Sequence, residues 1–186
     1  SEEIDELKLS HWGNKSEKFK FLNMDGYYLV YLRPGVQKFL DYIFKHFNVS
    51  VWTAASKEYA LCIVKEIKLP PGRSGRKLDW VFFDYHCKKS INTLGGSKDL
   101  RMLWDIYKIP QFTQQNTFIL DDYDEVFRTQ PKNCIISPGF HLKTPGSEDD
   151  SFLLDLIEYL FPLLPTTIYL KNNNSTLPFG TENTKL

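Results

Sequence analysis

Short apolar runs alternate along this chain with segments whose apolar residues recur at helical spacing, and this alternation limits the possible folds more than any other feature. The apolar runs lie at 49–52, 80–83, 117–120 and 134–136, and the helical segments lie over 36–47, 59–67, 100–107 and 153–161. Strands that are separated by helices pair in parallel in most α/β domains. We therefore predict an α/β fold with a mainly parallel sheet, helices on both faces, and a loop over the polar stretch 86–96.

A β-hairpin is predicted ahead of this alternating region. Residues that favour strands occur at 19–22 and 27–32, and they flank the pair Asp25-Gly26. An Asp-Gly pair suits a tight hairpin turn, because both central positions of that turn have positive φ angles. We therefore predict two antiparallel strands that turn at Asp25-Gly26.

The composition supports one domain with a substantial core. The chain has 186 residues, of which 42% are hydrophobic and 15% aromatic. Residues 1–17 are polar without a clear period, and residues 166–186 contain few apolar side chains after Leu170. We predict a polar leader over 1–17, an α/β domain over 18–165 and a polar tail over 166–186.

Charge, hydrophobicity and cysteine spacing give no indication of a nucleic-acid partner, a membrane span, a zinc site or a disulfide framework. The 23 basic residues equal the 23 acidic ones, so the net charge does not favour a nucleic-acid partner. Charges interrupt the longest apolar stretch, 152–164, so no membrane span is expected. Cys62, Cys87 and Cys134 lack the spacing of a zinc site or a disulfide framework. We expect reduced thiols in an intracellular compartment, with the nucleus or cytoplasm favoured over the mitochondrion.

Two adjacent carboxylates, Asp121 and Asp122, directly follow the apolar run 117–120. Ligands of open α/β sheets bind beyond the carboxyl ends of the strands, and Mg²⁺ is usually held by one or two carboxylates with phosphate oxygens and water. The pair therefore indicates a Mg²⁺ site. An N-cap in which Asp122 starts a short helix explains the same spacing.

Thr53 and Lys98 are candidates for binding a phosphate. Thr53 follows the apolar run 49–52, where its hydroxyl and nearby amides could hold a phosphate oxygen, or where it could simply begin a strand-to-helix turn. Lys98 precedes the helical segment 100–107 and could neutralise phosphate charge, or it could be a solvated surface lysine.

Segments that contain these candidates follow one another in the order of a known family. They are Arg33-Pro34-Gly35 with Phe39-Leu40, Val51-Trp52-Thr53-Ala54 with Tyr59-Ala60, Lys98-Asp99-Leu100, and Ile119-Leu120-Asp121-Asp122 with Phe127, Pro131 and Asn133. This ordered set resembles the phosphatases of the RNA polymerase II C-terminal domain, the NLI-interacting-factor-like family of the haloacid dehalogenase superfamily. The resemblance runs from about residue 19 to residue 160.

The resemblance implies a chemistry as well as a haloacid dehalogenase-like fold. Members of the family are Mg²⁺-dependent phosphatases that act on phosphoserine or phosphothreonine in proteins through an aspartyl-phosphate. By this resemblance Thr53 and Lys98 hold the phosphoryl group, while Asp121 and Asp122 serve the metal. The predicted hairpin would then be a small flap beside the active site.

The chain departs from the family at the nucleophile, the first aspartate of an Asp-x-Asp motif. The best-matching segment places Glu3 at the nucleophile and Asp5 at the general acid–base, and no apolar strand precedes it. The longer glutamate side chain displaces the attacking oxygen, and a displacement of about 1 Å can cost about a hundredfold in rate.

Three explanations of this departure remain open. The chain could be truncated, it could be a non-catalytic relative, or another segment or another chain could complete the sheet. We expect the chain as given to hydrolyse an aryl phosphate no faster than its Asp121→Asn variant. The alternative function is an inactive pseudophosphatase that acts as a structural or protein-binding subunit, as in the related import receptor of mitochondria.

Overall fold

The computed structural model of the chain describes residues 19–24, 28–68 and 75–163. Contacts group these residues into two compact units. The first contains the described residues up to Tyr42 together with Phe140–Phe161, and the second contains Ile43–Gly139 with residues 162 and 163. In this part of the chain, no helix is long and apolar enough to cross a bilayer.

The elements alternate as the sequence predicts. The strands are β1 (Phe21–Met24), β2 (Tyr28–Tyr31), β3 (Val49–Trp52), β4 (Leu78–Phe82), β5 (Ile119–Asp121) and β6 (Cys134–Ile136). The helices are α1 (Val36–His46), α2 (Lys57–Lys68), α3 (Asp84–Leu94), α4 (Asp124–Thr129) and α5 (Phe152–Leu160). A π-helical segment covers Met102–Ile106, and short 3₁₀ turns cover Ser147–Asp149 and Phe161–Leu163.

The two strands of the predicted hairpin are present in the first unit. β1 and β2 pair antiparallel, with Phe21 opposite Tyr31 and their ring centroids 5.8 Å apart. A cross-strand aromatic pair of this kind stabilises the pairing by about 0.2–1 kcal/mol. The turn at Asp25-Gly26 lies outside the described residues, and the role of the hairpin as a flap remains a prediction.

The Arg-Pro-Gly segment before α1 has a structural role in the first unit. The Arg33 guanidinium donates two hydrogen bonds to Asp150, of 2.7 and 2.8 Å, and lies over the rings of Phe140 and Phe152. Gly35 has a φ of +77°, and a Cβ there would lie 2.9 Å from the Leu154 side chain. Glycine is therefore required here by both its backbone conformation and its close neighbour.

Two parallel strand pairs form the second unit. β3 pairs with β4 and β5 pairs with β6, each with a helix between the paired strands. The described residues are therefore a mixed α/β structure with small parallel sheets, which confirms the predicted class. One continuous sheet with helices on both faces remains a prediction.

An aromatic core lies beneath these strands. Its buried members are Trp52, Phe82, Cys87, Leu100, Met102, Leu103 and Phe112, and Ile119 of β5 packs against them. The rings of Trp52 and Phe82 meet edge to face with centroids 5.1 Å apart, a favoured aromatic geometry. The last residue of β3, Trp52, and the first residue of β5, Ile119, thus share one core.

The loop predicted over 86–96 is wrong, because α3 occupies most of that stretch. The residues of α3 that become buried are Cys87 and Ser90, so the inward face carries small and polar side chains rather than an apolar stripe. Gly95 ends the helix with a φ of +82°, and its amide donates to the carbonyl of Ile91. The helix predicted over 100–107 is instead the π-helical segment, in which the Tyr107 amide donates to the carbonyl of Met102.

Candidate functional site

Asp121 is the last residue of β5 and is buried, with 7% of its surface exposed. The strand pairing positions its backbone, because the Asp121 carbonyl accepts a hydrogen bond of 2.8 Å from the Ser137 amide after β6. One carboxylate oxygen accepts a hydrogen bond of 3.0 Å from the Tyr123 amide, and the other accepts one of 2.6 Å from the ammonium of Lys98. The carboxylate is therefore held at the carboxyl end of its strand, as predicted for a ligand site.

Lys98 reaches this carboxylate from the loop after α3. Its side chain is 14% exposed, and that of Asp121 is 5% exposed. An ion pair removed from water to this extent needs both partners, because either one left alone would be a buried, uncompensated charge. The structure therefore excludes the alternative in which Lys98 is a solvated surface lysine.

Cys134 of β6, the ladder partner of Ile119, is near enough to the ion pair for the charges of Asp121 and Lys98 to act on its thiol. Burial raises the pKa of its thiol to about 11, and the negative charge of Asp121 adds to this effect while Lys98 opposes it. A thiol with such a pKa is protonated at neutral pH and is a poor nucleophile. Cys134 is therefore a packing residue of the site. Cys62, Cys87 and Cys134 are free, and the reducing intracellular compartment remains a prediction.

Thr53 follows β3, and its backbone continues the strand pairing. Its amide donates to the Phe82 carbonyl at 2.9 Å, and its carbonyl accepts a hydrogen bond of 3.5 Å from the Cys87 thiol. The hydroxyl oxygen accepts a hydrogen bond of 3.1 Å from the Ala55 amide, a bond that does not use the hydroxyl hydrogen. Thr53 therefore forms the predicted turn and keeps a donor for a ligand; its convergence with Lys98 and Asp121 remains a prediction.

Asp122 is exposed and follows the buried Asp121 directly. The residue that caps α4 is Tyr123, and no side chain makes a capping hydrogen bond there. The contacts therefore do not support the alternative in which Asp122 serves as the helix cap. Glu3 and Asp5, the two candidates for the covalent chemistry, lie outside the described residues.

The described residues supply two carboxylates for Mg²⁺, which suits a site where water and phosphate provide the other ligands. Among the residues that the structure describes, no cluster of three or more acidic, histidine or cysteine side chains could enclose a metal. Asp121 and Asp122 supply two carboxylates, and Mg²⁺ commonly takes only one or two from the protein and completes its octahedron with water and phosphate oxygens. Each oxygen of Asp121 also retains lone-pair capacity beyond its one hydrogen bond.

The loop that carries Lys98 is fixed by two side chains that the sequence analysis did not single out. The hydroxyl of Ser90, on α3, donates to the Gly96 carbonyl at 2.6 Å and accepts from the Asp99 amide at 3.0 Å. The carboxamide of Gln130, after α4, donates to the Lys98 carbonyl at 2.9 Å and accepts from the Leu100 amide at 3.0 Å. No signal in the sequence identified Ser90, because the segment that contains it lacks an apolar stripe and was predicted to be a loop.

A groove of about 350 Å³ lies elsewhere in the second unit. Its lining residues are Asp99, Arg101, Trp104, Gln114, Thr129, Gln130, Pro131, Lys132 and Asn133. The groove contains none of the four residues predicted for phosphate and metal binding. We therefore assign the candidate site to the strand ends rather than to this groove.

Comparison of the sequence with known proteins identifies the family of this chain. The family model described as NLI interacting factor-like phosphatase matches residues 4–166. A protein of Invertebrate iridescent virus 6 named "Putative CTD phosphatase-like protein 355R" is 44% identical over 155 residues, which are 82% of this chain and 85% of the viral protein. The protein of that name in Invertebrate iridescent virus 3 is 35% identical over 159 residues, which are 83% of this chain and 84% of that protein. These matches confirm the resemblance carried by the motifs, and the chain belongs to the NLI interacting factor-like phosphatase family.

Proposed function

We propose that this chain binds phosphoserine or phosphothreonine in a partner protein and removes the phosphate in a Mg²⁺-dependent reaction. The observation that carries the proposal is the buried ion pair between Lys98 and Asp121 at the carboxyl end of β5. Membership of the phosphatase family supports the reaction class. A haloacid dehalogenase-like fold with one continuous parallel sheet is part of the same proposal.

The ion pair supplies the two charges that a metal-bound phosphate requires. In the free protein, Lys98 and Asp121 neutralise each other in a place where one charge alone would be destabilising. With a phosphate and Mg²⁺ bound, the ammonium would turn to a phosphate oxygen and the carboxylate to the cation. Neither buried charge is then left without a partner, so the site can exchange one set of ion pairs for another.

Thr53 and Asp122, together with Lys98 and Asp121, form the part of the proposed site that binds phosphate and Mg²⁺, called the binding half below. The hydroxyl hydrogen of Thr53 is the donor for a phosphate oxygen, because the Ala55 amide already occupies the acceptor side of that hydroxyl. Asp122 is the second carboxylate for the cation. Bound there, Mg²⁺ would neutralise the negative charge on the phosphoryl oxygens.

The covalent step is assigned to the segment that contains Glu3 and Asp5. A carboxylate oxygen of Glu3 would bond to phosphorus while the bond from phosphorus to the serine or threonine oxygen breaks. Asp5 would give its proton to that departing oxygen. Water would then attack the phosphorus of the glutamyl-phosphate, with Asp5 accepting a proton from the water. The bond from phosphorus to the Glu3 oxygen would break, releasing phosphate and restoring the carboxylate.

A second candidate function is a non-catalytic protein that recognises a phosphorylated partner. The presence of Glu3 at the nucleophile position favours it, because the longer side chain displaces the attacking oxygen. The prediction that the chain turns over no faster than Asp121→Asn belongs to this candidate. Both candidates use the same binding half, so the covalent step alone separates them.

The experiment measures Mg²⁺-dependent hydrolysis of p-nitrophenyl phosphate and of a phosphoserine peptide, together with calorimetric binding of that peptide. The variants Lys98→Met and Asp121→Asn test the binding half, and Glu3→Gln and Asp5→Asn test the covalent half. Exposed residues of the same types provide matched controls in Lys132→Met and Asp79→Asn.

The outcomes separate the candidates. Turnover that Glu3→Gln, Lys98→Met and Asp121→Asn each abolish, and that the controls leave unchanged, establishes the phosphatase. Peptide binding that depends on Lys98 without any turnover establishes the second candidate. If the peptide binds equally to the wild-type protein and to Lys98→Met, both proposals are wrong.

A further inference from the structure

The loop that presents Lys98 has a backbone that the chain does not adopt freely. Lys98 itself has a φ of +52°, in the left-handed region that is unfavourable for a residue with a Cβ. Such a conformation persists only where surrounding contacts hold it. The position of the ammonium therefore depends on what holds this loop.

The side chain of Gln130 bonds the two peptide groups that directly follow the strained residue. Its carboxamide nitrogen donates to the Lys98 carbonyl, and its carboxamide oxygen accepts from the Leu100 amide, at 2.9 and 3.0 Å. The two peptide groups that the carboxamide bonds are those that follow Lys98 and Asp99. A two-point contact fixes orientation as well as distance, which a single hydrogen bond does not.

The same residue is tied to the segment that carries Asp121. Gln130 ends α4, where its amide donates to the Phe127 carbonyl, and its own carbonyl accepts from the Asn133 amide just before β6. The segment from Asp121 through α4 to Gln130 therefore contacts the Lys98 loop at both of its ends. Asp121 pairs with the Lys98 ammonium, and the Gln130 carboxamide bonds the backbone of the loop.

We infer that Gln130 is a positioning residue that holds the Lys98 ammonium where it meets Asp121 and, under the function proposed above, the phosphate. Glutamine is suited to this because it offers one donor and one acceptor on one rigid group. Gln130→Glu keeps the acceptor for Leu100 but places a carboxylate oxygen against the Lys98 carbonyl. Gln130→Met removes both hydrogen bonds with little change in volume.

The first experiment follows Lys98 without any ligand. The folded protein is treated with an acetylating reagent, and the rate of modification at each lysine is read by mass spectrometry. We expect Gln130→Met and Gln130→Glu to increase the rate at Lys98 by about tenfold, since a displaced ammonium gains solvent exposure. The rate at the exposed Lys57, at the start of α2, should not change. The control variant is Gln115→Ala, an exposed glutamine that should change neither rate.

The second experiment asks whether the effect on phosphate passes through Lys98. Binding of inorganic phosphate in the presence of Mg²⁺ is measured for Gln130→Met, for Lys98→Met and for the double variant. We expect Gln130→Met to weaken binding by about ten- to a hundredfold, the scale expected for a binding group displaced by about 1 Å. In the Lys98→Met background it should have no further effect, because the group it positions is absent.

The results distinguish this inference from the proposed function. An unchanged acetylation rate at Lys98 in both Gln130 variants overturns the inference. It is also overturned if Gln130→Met weakens phosphate binding as much in the Lys98→Met protein as in the wild type. Faster acetylation at Lys98, in variants whose urea unfolding remains cooperative, supports it. If acetylation increases but even the wild-type protein binds no phosphate, the positioning role stands and the proposed function fails.

Discussion

Replacing Lys98 with methionine would leave the carboxylate of Asp121 buried without its cationic partner. The charged atoms are 2.6 Å apart, and the side chains are 14% and 5% exposed. Removal of one partner of a buried ion pair destabilises a protein by about 3–5 kcal/mol. Because Asp121 keeps its hydrogen bond from the Tyr123 amide, we expect a loss near the lower end, about 3 kcal/mol in the free energy of unfolding.

The same reasoning predicts strong coupling between the two residues. Asp121→Asn alone leaves the Lys98 ammonium buried without its counter-charge. It should therefore also be destabilising, because a buried charge again lacks a partner. The double variant contains neither charge, so its loss should be smaller than the sum of the two single losses by about 2 kcal/mol or more. This non-additivity distinguishes a buried pair from two independent side chains.

The measurement is urea unfolding followed by tryptophan fluorescence, with the buried Trp52 as one reporter. The matched control is Lys88→Met, since Lys88 pairs with Asp84 at 3.1 Å on α3 but is 74% exposed. An exposed pair of this kind contributes little and is screened by salt, so the control should be close to the wild type. Equal effects of Lys98→Met and Lys88→Met, or additive losses in the double variant, would refute the argument from burial.

Three further predictions concern pH, thiol reactivity and backbone strain. Burial lowers the pKa of His86 below its usual 6.5, so the unfolded chain takes up the proton first as the pH falls. The urea concentration at the midpoint of unfolding should therefore decrease from pH 6.5 towards the lower pKa of the folded state. His86→Gln should remove this pH dependence. At pH 8 iodoacetamide should modify the half-buried Cys62 while the folded protein protects Cys134, whose pKa is about 11, and equal labelling would contradict the described burial. Gly35→Ala should destabilise by at least about 2 kcal/mol, because positive φ and a 2.9 Å contact act together, whereas Gly95→Ala, with positive φ and open space, should lose about 1 kcal/mol. Equal unfolding free energies for the two alanine variants would show that the contact at position 35 relaxes at no cost.

The strand ends were predictable from the sequence because they depend on local patterns. Apolar runs that stop at Thr53 or at Asp121 mark the carboxyl ends of β3 and β5, and ligand sites of parallel sheets lie there. The family resemblance added Lys98, which a helical period alone does not identify. What these patterns could predict was the identity of the candidate residues and the elements that bear them.

The contacts that hold Lys98 were not predictable, because they join distant polar residues. α3 buries a serine and a cysteine instead of an apolar stripe, so its period was hidden and the segment resembled a loop. The side-chain hydrogen bonds of Gln130 span 32 and 30 positions along the chain. A polar side chain whose partners are backbone groups far away leaves no periodic signal in a sequence.

The two units of the structure also have different consequences for synthesis of the chain. The second unit draws most of its described residues from one continuous stretch, Ile43–Gly139, and can bury its core as soon as that stretch has emerged from the ribosome. The first unit joins Arg33 to Asp150, which is translated 117 positions later. At a synthesis rate of roughly 5–20 residues per second, Asp150 is added about 6–23 s after Arg33. The hairpin strands are made before the second unit, yet they complete their own unit after it, so during that interval they lack the 140–161 segment with which they form that unit.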